Sequence, residues 1–351
     1  MFASVLSSAV PHVLSHTPDP GLTYEETLDR VTKRADLALP DQVLPLSRLQ
    51  ATDAGSIDVP GLGQLGLTTW SRRQLANLLG IRWDRWFSSE MVAPADRAEE
   101  INRRFSASSG EWKIRARNLA ADEEAQGEAV LRAFVSPTYA PIDDLCVFET
   151  LGKVLGDRLQ DLRFVRLDVT AESSQYAVVS LEEIDLGINK PDRHRNGFLV
   201  ANSEVGARSL SLMVWIWRLV CTNGMVAAMS KIFRIIHRKR KDGLIAEKLG
   251  SAIQQLPEQW KRTERTLRSA RQDPVEDPHA ALEVLVTAHP QLRPISDSVY
   301  EAYEQDPEPN RFGLVQAMTR AAQGLRPEDR LTVEEFAGRI AAMAPAPEES
   351  F

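Results

Sequence analysis

Apolar positions along this chain change period twice. Between residues 71 and 105 they recur at helical spacing: Leu75, Leu78 and Leu79 share one face, as do Ala98, Ile101 and Phe105. Ser71 with Gln74 three residues on reads as a capping box opening the first helix, and Gly80 closes it. Arg82-Trp83-Asp84-Arg85-Trp86-Phe87 reads as the start of another helical piece. From residue 112 the period becomes two. Trp112, Ile114 and Ala116 alternate with Lys113, Arg115 and Arg117, and Ala129–Val135 fits a hairpin partner across the acidic loop 120–126. A helix is expected over Asp143–Leu159. Strands are expected at Leu162–Val169, Tyr176–Leu181, Phe198–Ala201 and Leu210–Leu219, and the isoleucines of Ile232–His237 favour another. Helical spacing returns over Leu244–Arg271, where Pro257 should break or restart it. It persists over 280–340, with a last helix opened by Thr332-Val333-Glu334-Glu335.

Before residue 60 the prolines at 11, 18, 20, 40, 45 and 60 limit element length, and one short helix is expected behind Thr23 and Glu26, a second capping box. Strands that cluster, instead of alternating with helices, give an α+β fold. The expected architecture is an antiparallel β-rich central domain with flanking helices and a mainly α-helical C-terminal region. The divisions are a loosely structured segment 1–64, a core domain 65–243, a helical region 244–341 and a disordered tail 342–351.

Composition narrows the class. Hydrophobic content of 43% and charged content of 26% suit a globular chain. No run approaches the ~20 apolar residues of a membrane helix, and no cation precedes the short apolar N-terminus, so no signal peptide and no membrane association are expected. Two cysteines, Cys146 and Cys221, make no disulfide framework. A cytoplasmic setting with reduced thiols is the expectation. The net charge of −7 conceals an asymmetry: residues 231–271 hold twelve Lys/Arg against four Asp/Glu, whereas residues 272–351 hold six Arg against fifteen Asp/Glu.

Few motifs carry chemistry. Gly61-Leu62-Gly63-Gln64-Leu65-Gly66 has dinucleotide-loop spacing, but Pro60 precedes it and the helix begins too late, so a glycine-rich turn is expected. His12 and His16 have helical metal spacing with no third ligand near, and His194, between Arg193 and Arg195, should be exposed. The adjacent Asp143 and Asp144 suit a helix N-cap. There is no phosphate-loop lysine motif, no nucleophile elbow and no zinc-spaced cysteine pair, so no cofactor, metal or catalytic residue is assigned. Trp215 and Trp217 share one strand face, with Arg218 on the other. They fit either core positions or base stacking. In Lys231-Ile232-Phe233-Arg234-Ile235-Ile236-His237-Arg238-Lys239-Arg240-Lys241 an apolar half can anchor a basic half that faces phosphates.

Gly197-Phe198-Leu199-Val200-Ala201-Asn202-Ser203-Glu204-Val205-Gly206, followed by Arg218-Leu219-Val220-Cys221-Thr222-Asn223-Gly224-Met225, resembles the phage- and plasmid-borne family called domain of unknown function 932. Arg132-Ala133-Phe134-Val135-Ser136-Pro137-Thr138-Tyr139-Ala140-Pro141-Ile142-Asp143 adds to the likeness, which covers about residues 65–240, and His237 fits a histidine that tends to follow the block. The resemblance implies a mobile-element setting and no particular reaction. Its motif residues here are Asn202, Ser203, Glu204, Gly206, Cys221, Thr222, Asn223 and Gly224, with Asn223-Gly224 expected to form a tight turn or helix entry.

The expected function is binding or annealing of single-stranded DNA, with a possible homo-oligomer. Arg218, His237, Arg238, Lys239, Arg240 and Lys241 are the candidates for phosphates, and Trp215 and Trp217 for bases. The alternatives are a metal-dependent nuclease using Asp143, Glu204 and His237, and a host-protein-binding anti-defence factor.

Overall fold

Leu210-Ser211-Leu212-Met213-Val214-Trp215-Ile216 places apolar residues at both parities, the pattern of a strand buried on both faces. The computed structural model describes residues 13–14, 21–81, 92–119, 129–188, 190–219, 223–238 and 243–343, without the side chains of 13–14 and 223–231. It places this run, as β11 (Leu210–Arg218), inside a six-stranded antiparallel sheet. The sheet order is β1 (Val13–Leu14), β8 (Leu162–Val169), β9 (Ser174–Asp185), β10 (Arg193–Asn202), β11 and β12 (Asn223–Ile235).

On one face Phe164, Val178, Phe198 and Val214 join a core with Phe148 of helix α4 (Asp144–Leu155) and Leu249 and Ile253 of helix α5 (Leu244–Gln272). On the other, Val179, Leu199, Met213 and Trp215 pack with Leu331 of the last helix, α9 (Pro327–Ala341). At roughly 25 cal/mol per Å² of apolar area removed from water, covering both faces dominates the stability of this layer. Helices α6 (Pro278–Ala288), α7 (Ser296–Gln305) and α8 (Arg311–Ala321) build a separate core with Leu267 of α5, Ile216 of β11 and α9.

The N-terminal part makes a second sheet, ordered β2 (Gln42–Pro45), β6 (Glu111–Asn118), β7 (Ala129–Val135), β5 (Gly63–Leu67), β4 (Ile57–Val59) and β3 (Gln50–Ala51). Helices α2 (Thr69–Leu78) and α3 (Pro94–Ala107) cover it through Leu75, Ile101 and Phe105, against Ile114 and Leu131. Helix α1 (Tyr24–Ala35) opens with the Thr23–Glu26 capping box. The protein is therefore a mixed α+β fold with antiparallel sheets and flanking and C-terminal helices. The glycine-rich stretch is a hairpin: β4 and β5 pair antiparallel, and Gly61 and Gly63 adopt φ of +83° and +78° between them.

Several local expectations are corrected. Helix α2 starts at Thr69, because Thr68 accepts the Ser71 N–H and takes the cap that Ser71 was expected to hold. Helix α9 starts at Pro327, where the missing N–H is harmless, so Thr332 lies inside it. Helix α5 runs unbroken for 29 residues through Pro257. A mid-helix proline costs roughly 3 kcal/mol, and the apolar stripe Leu249, Ile253, Leu256 and Leu267, buried on both sides of it, offsets that. Asn223-Gly224 is not a turn but the start of β12, opposite Arg218 and Trp217. His194 is fully buried, not exposed. The readings at His12, His16, Trp83 and Trp86, in the loop 120–126 and in the tail from residue 344 lie outside the described residues.

Gly197 marks a bulge in the β9–β10 ladder. A Cβ there would lie 2.1 Å from the Val178 carbonyl oxygen. Gly197→Ala is expected to destabilise the fold by about 2 kcal/mol through overpacking, and Trp215→Ala by about 3–5 kcal/mol through a core cavity. Urea titration of both variants measures each effect.

Candidate functional site: a motif joint and an exposed basic helix

The end of β10 carries the family motif, and its polar groups face inward. Asn202 Nδ2 donates to Asp144 Oδ1 at 2.7 Å and to the Ile142 carbonyl at 2.8 Å. Asp144 also accepts from Ser174 Oγ and Tyr176 Oη, each at 2.9 Å. Ser203 Oγ donates to the Glu172 carbonyl at 2.6 Å and accepts from the Ala207 N–H at 3.0 Å, which shapes the turn that Gly206 closes.

Glu204 caps α4 from outside. Its Oε1 accepts from the Asp144 N–H at 3.0 Å while Oε2 meets Arg132 Nη1 at 2.7 Å. Arg115 of β6 binds Asp41 at 3.0 Å and Asp143 at 3.1 Å, and donates to the Glu204 carbonyl. The motif therefore joins the two sheets. Burial raises the proton affinity of Glu204, but Arg132 and the Asp144 N–H outweigh it and hold the carboxyl low. Burial and the Glu204 charge push Asp144 the other way, up to about 6.

Three of the eight residues expected to touch DNA, Arg218, Trp215 and His237, are buried. Arg218 is 3% exposed, with Nε on Asp192 at 2.8 Å and Nη1 on Asp306 at 2.7 Å. A guanidinium saturated by two carboxylates in the interior cannot meet a phosphate, so that expectation is corrected. Trp215, 2% exposed under Arg166 and α9, is a core residue and not a stacking platform. His237 is buried, accepts the Ile142 N–H on Nδ1 at 3.1 Å and stacks on Tyr139 at 5.6 Å. It supports the motif joint, because the same Ile142 accepts from Asn202. Arg238 is exposed and Trp217 half-buried. Cys221, Thr222, Lys239, Arg240 and Lys241 lie outside the described residues, as does the side chain of Asn223.

The nuclease constellation gains no support from this geometry. The Asp143 and Glu204 carboxylates hold guanidinium groups, and among the described residues no cluster of three His, Cys, Asp or Glu side chains is placed to hold a metal ion. Cys146 is an exposed thiol.

The exposed cations concentrate on α5. Lys248, Lys261, Arg262, Arg265 and Arg268 face solvent, while Arg271, one turn on, is buried against Asp192. Spacings of four and three from Lys261 to Arg265 to Arg268 put these on one helix face, a signal present in the sequence but overshadowed by the denser run at 238–241. Trp260 Nε1 donates to the Gly197 carbonyl at 2.8 Å, and Asn196 Nδ2 to Glu264 at 2.7 Å, so the helix is pinned to the sheet.

The family model described as Domain of unknown function (DUF932) matches residues 132–324, more than half of the chain. The chain belongs to this family. The match starts on β7, contains both motif stretches and continues through α5 to the end of α8, further toward the C-terminus than the 65–240 span of the resemblance. In this DUF932 protein the basic helix is thus part of the family region. No curated protein matches the chain, and no solved structure matches it. Among the described residues no helix is long and apolar enough to cross a membrane.

Two outcomes are expected. Arg132→Met leaves Glu204 buried without its cation and should cost roughly 3–5 kcal/mol, read by chemical denaturation. Burial first, with Arg218 and Arg271 adding, lowers His194 to about 4 against the pull of Asp192. The unfolded chain takes up that proton near pH 6.5 and the fold refuses it. Stability held above that pH is therefore lost as pH falls toward 4. His194→Gln should flatten this part of the pH–stability curve, measured by thermal unfolding from pH 7 to 4.

Proposed function

We propose that this protein binds DNA, single-stranded DNA first of all, through the phosphate backbone and without reading sequence. The setting is phage or plasmid DNA metabolism, in the cytoplasm, and a homo-oligomeric form belongs to the same proposal. One observation carries it: Lys261, Arg262, Arg265 and Arg268 are exposed within about two turns of one anchored helix, with Glu258 paired to Arg265 at 3.5 Å. The four span about 10 Å of helix at 1.5 Å per residue, long enough to face several successive phosphates (in a duplex these rise about 3.4 Å per strand). Their helix is held because its apolar stripe and Trp260 are fixed on the sheet, so no backbone has to be ordered on binding. The acidic residues after 272 account for the net negative charge and favour contact confined to the basic face.

The physical consequence is salt dependence. Four released counterions on a single strand give a slope of log K against log salt of about −3. Replacing Lys261, Arg262, Arg265 and Arg268 with Ala should remove most of that slope, measured by anisotropy of a labelled oligonucleotide at several salt concentrations. Replacing Arg238, Lys239, Arg240 and Lys241 instead tests the other half of the basic block. A wild-type protein that shows no salt-sensitive binding contradicts the proposal.

A further inference from the structure

Trp217 has the same strand parity as Trp215 and packs at the margin of the same apolar cluster, but it is less deeply covered. Trp215 lies under Arg166 and α9, whereas Trp217, two residues along, is half-buried at the end of the sheet. Its partner across the ladder on one side is Gly224, which has no side chain to shield the indole. Its partner on the other side is Arg195.

Arg195 is bound incompletely. Nη2 donates to Glu183 at 3.1 Å, while Nε and Nη1 are buried with no acceptor. Buried donors without acceptors are rare in folded proteins and call for an explanation. Turning this guanidinium outward forfeits only the bond to Glu183. Arg193, two residues back on the same strand face and exposed, shares that one carboxylate at 3.3 Å. Asp185, opposite Arg193 in the ladder, is the second acid here, so the ledge offers guanidinium donors and no net charge. It also adjoins the basic helix: Arg268 donates to the Asp185 carbonyl, and Asp185 pairs with Arg193 in the ladder.

We infer that Trp217 stacks one unpaired base, with Arg195 and Arg193 donating to the adjoining phosphate. This deepens the DNA-binding proposal and rests on it: α5 supplies backbone affinity, and the ledge supplies preference for single strands. A paired base shows its faces only to its neighbours in the duplex, so the ledge has nothing to stack there. An indole face accepts any base, which keeps the site blind to sequence.

The test compares wild type, Trp217→Ala and Trp217→Phe on a labelled oligothymidylate and on a duplex of equal length. Loss of stacking should weaken single-strand binding by Trp217→Ala roughly 5- to 150-fold, with duplex binding unchanged and Trp217→Phe close to wild type. Equal weakening on both DNAs, or none on either, overturns the ledge. A wild-type protein that binds neither DNA overturns the underlying DNA-binding proposal. A second readout needs no variant: an oligonucleotide carrying 5-iodouracil, crosslinked to wild-type protein by light, should give an adduct on Trp217. Adducts confined to α5 overturn the ledge and leave the backbone contact standing.

Discussion

A sheet that must be kept from water on both faces governs this structure. Phe164, Val178, Phe198 and Val214 on one side and Val179, Leu199, Met213 and Trp215 on the other leave no solvent face in the middle of the sheet. Two separate sets of helices are therefore required, α4 and α5 over one face and α9 over the other. The chain after β12 supplies α5 first and returns with α9, wrapping the sheet in sequence order. What is exposed on α5 is then the residue of that constraint: its apolar stripe is taken by the sheet, and toward its C-terminal end the solvent side carries Lys261, Arg262, Arg265 and Arg268.

The motif that marks the family has a structural duty. Asn202 and Glu204 hold Asp144 and the start of α4, and Glu204 shares Arg132 and Arg115 with the second sheet. Buried ion pairs of this kind seldom add much stability over apolar replacements, but each partner is costly to lose alone. Arg132 holds one oxygen of Glu204 and Arg115 one oxygen of Asp143, while Asp144 is held by Asn202, Ser174 and Tyr176.

The local parts of the fold were legible in the sequence, and the long-range parts were not. The Thr23–Glu26 box, the β6 alternation and the doubly apolar β11 follow from neighbours within a few residues. Arg218 could not be placed that way, because the acids that bury it, Asp192 and Asp306, are 26 and 88 residues distant in the chain. Trp215 and Trp217 have the same parity, and the groups that bury Trp215, Arg166 and Leu331 of α9, are distant from it in the chain. Pro327 at the first helical position was a readable signal for the start of α9, and Thr332 drew attention from it. The basic block was visible as charge, but which of its cations reach solvent depended on the helical phase set by Leu249, Ile253 and Leu267.

The central claim is that the exposed face of α5 is where DNA contacts this protein. Hydrogen–deuterium exchange of the full chain, with and without a saturating single-stranded oligonucleotide at low salt, addresses it directly. The account predicts slowed exchange in peptides covering 260–269 and at the adjoining ends of β9 and β10, with the motif joint around Asn202 and Glu204 unchanged. Binding that leaves 260–269 unprotected, with protection elsewhere, contradicts it.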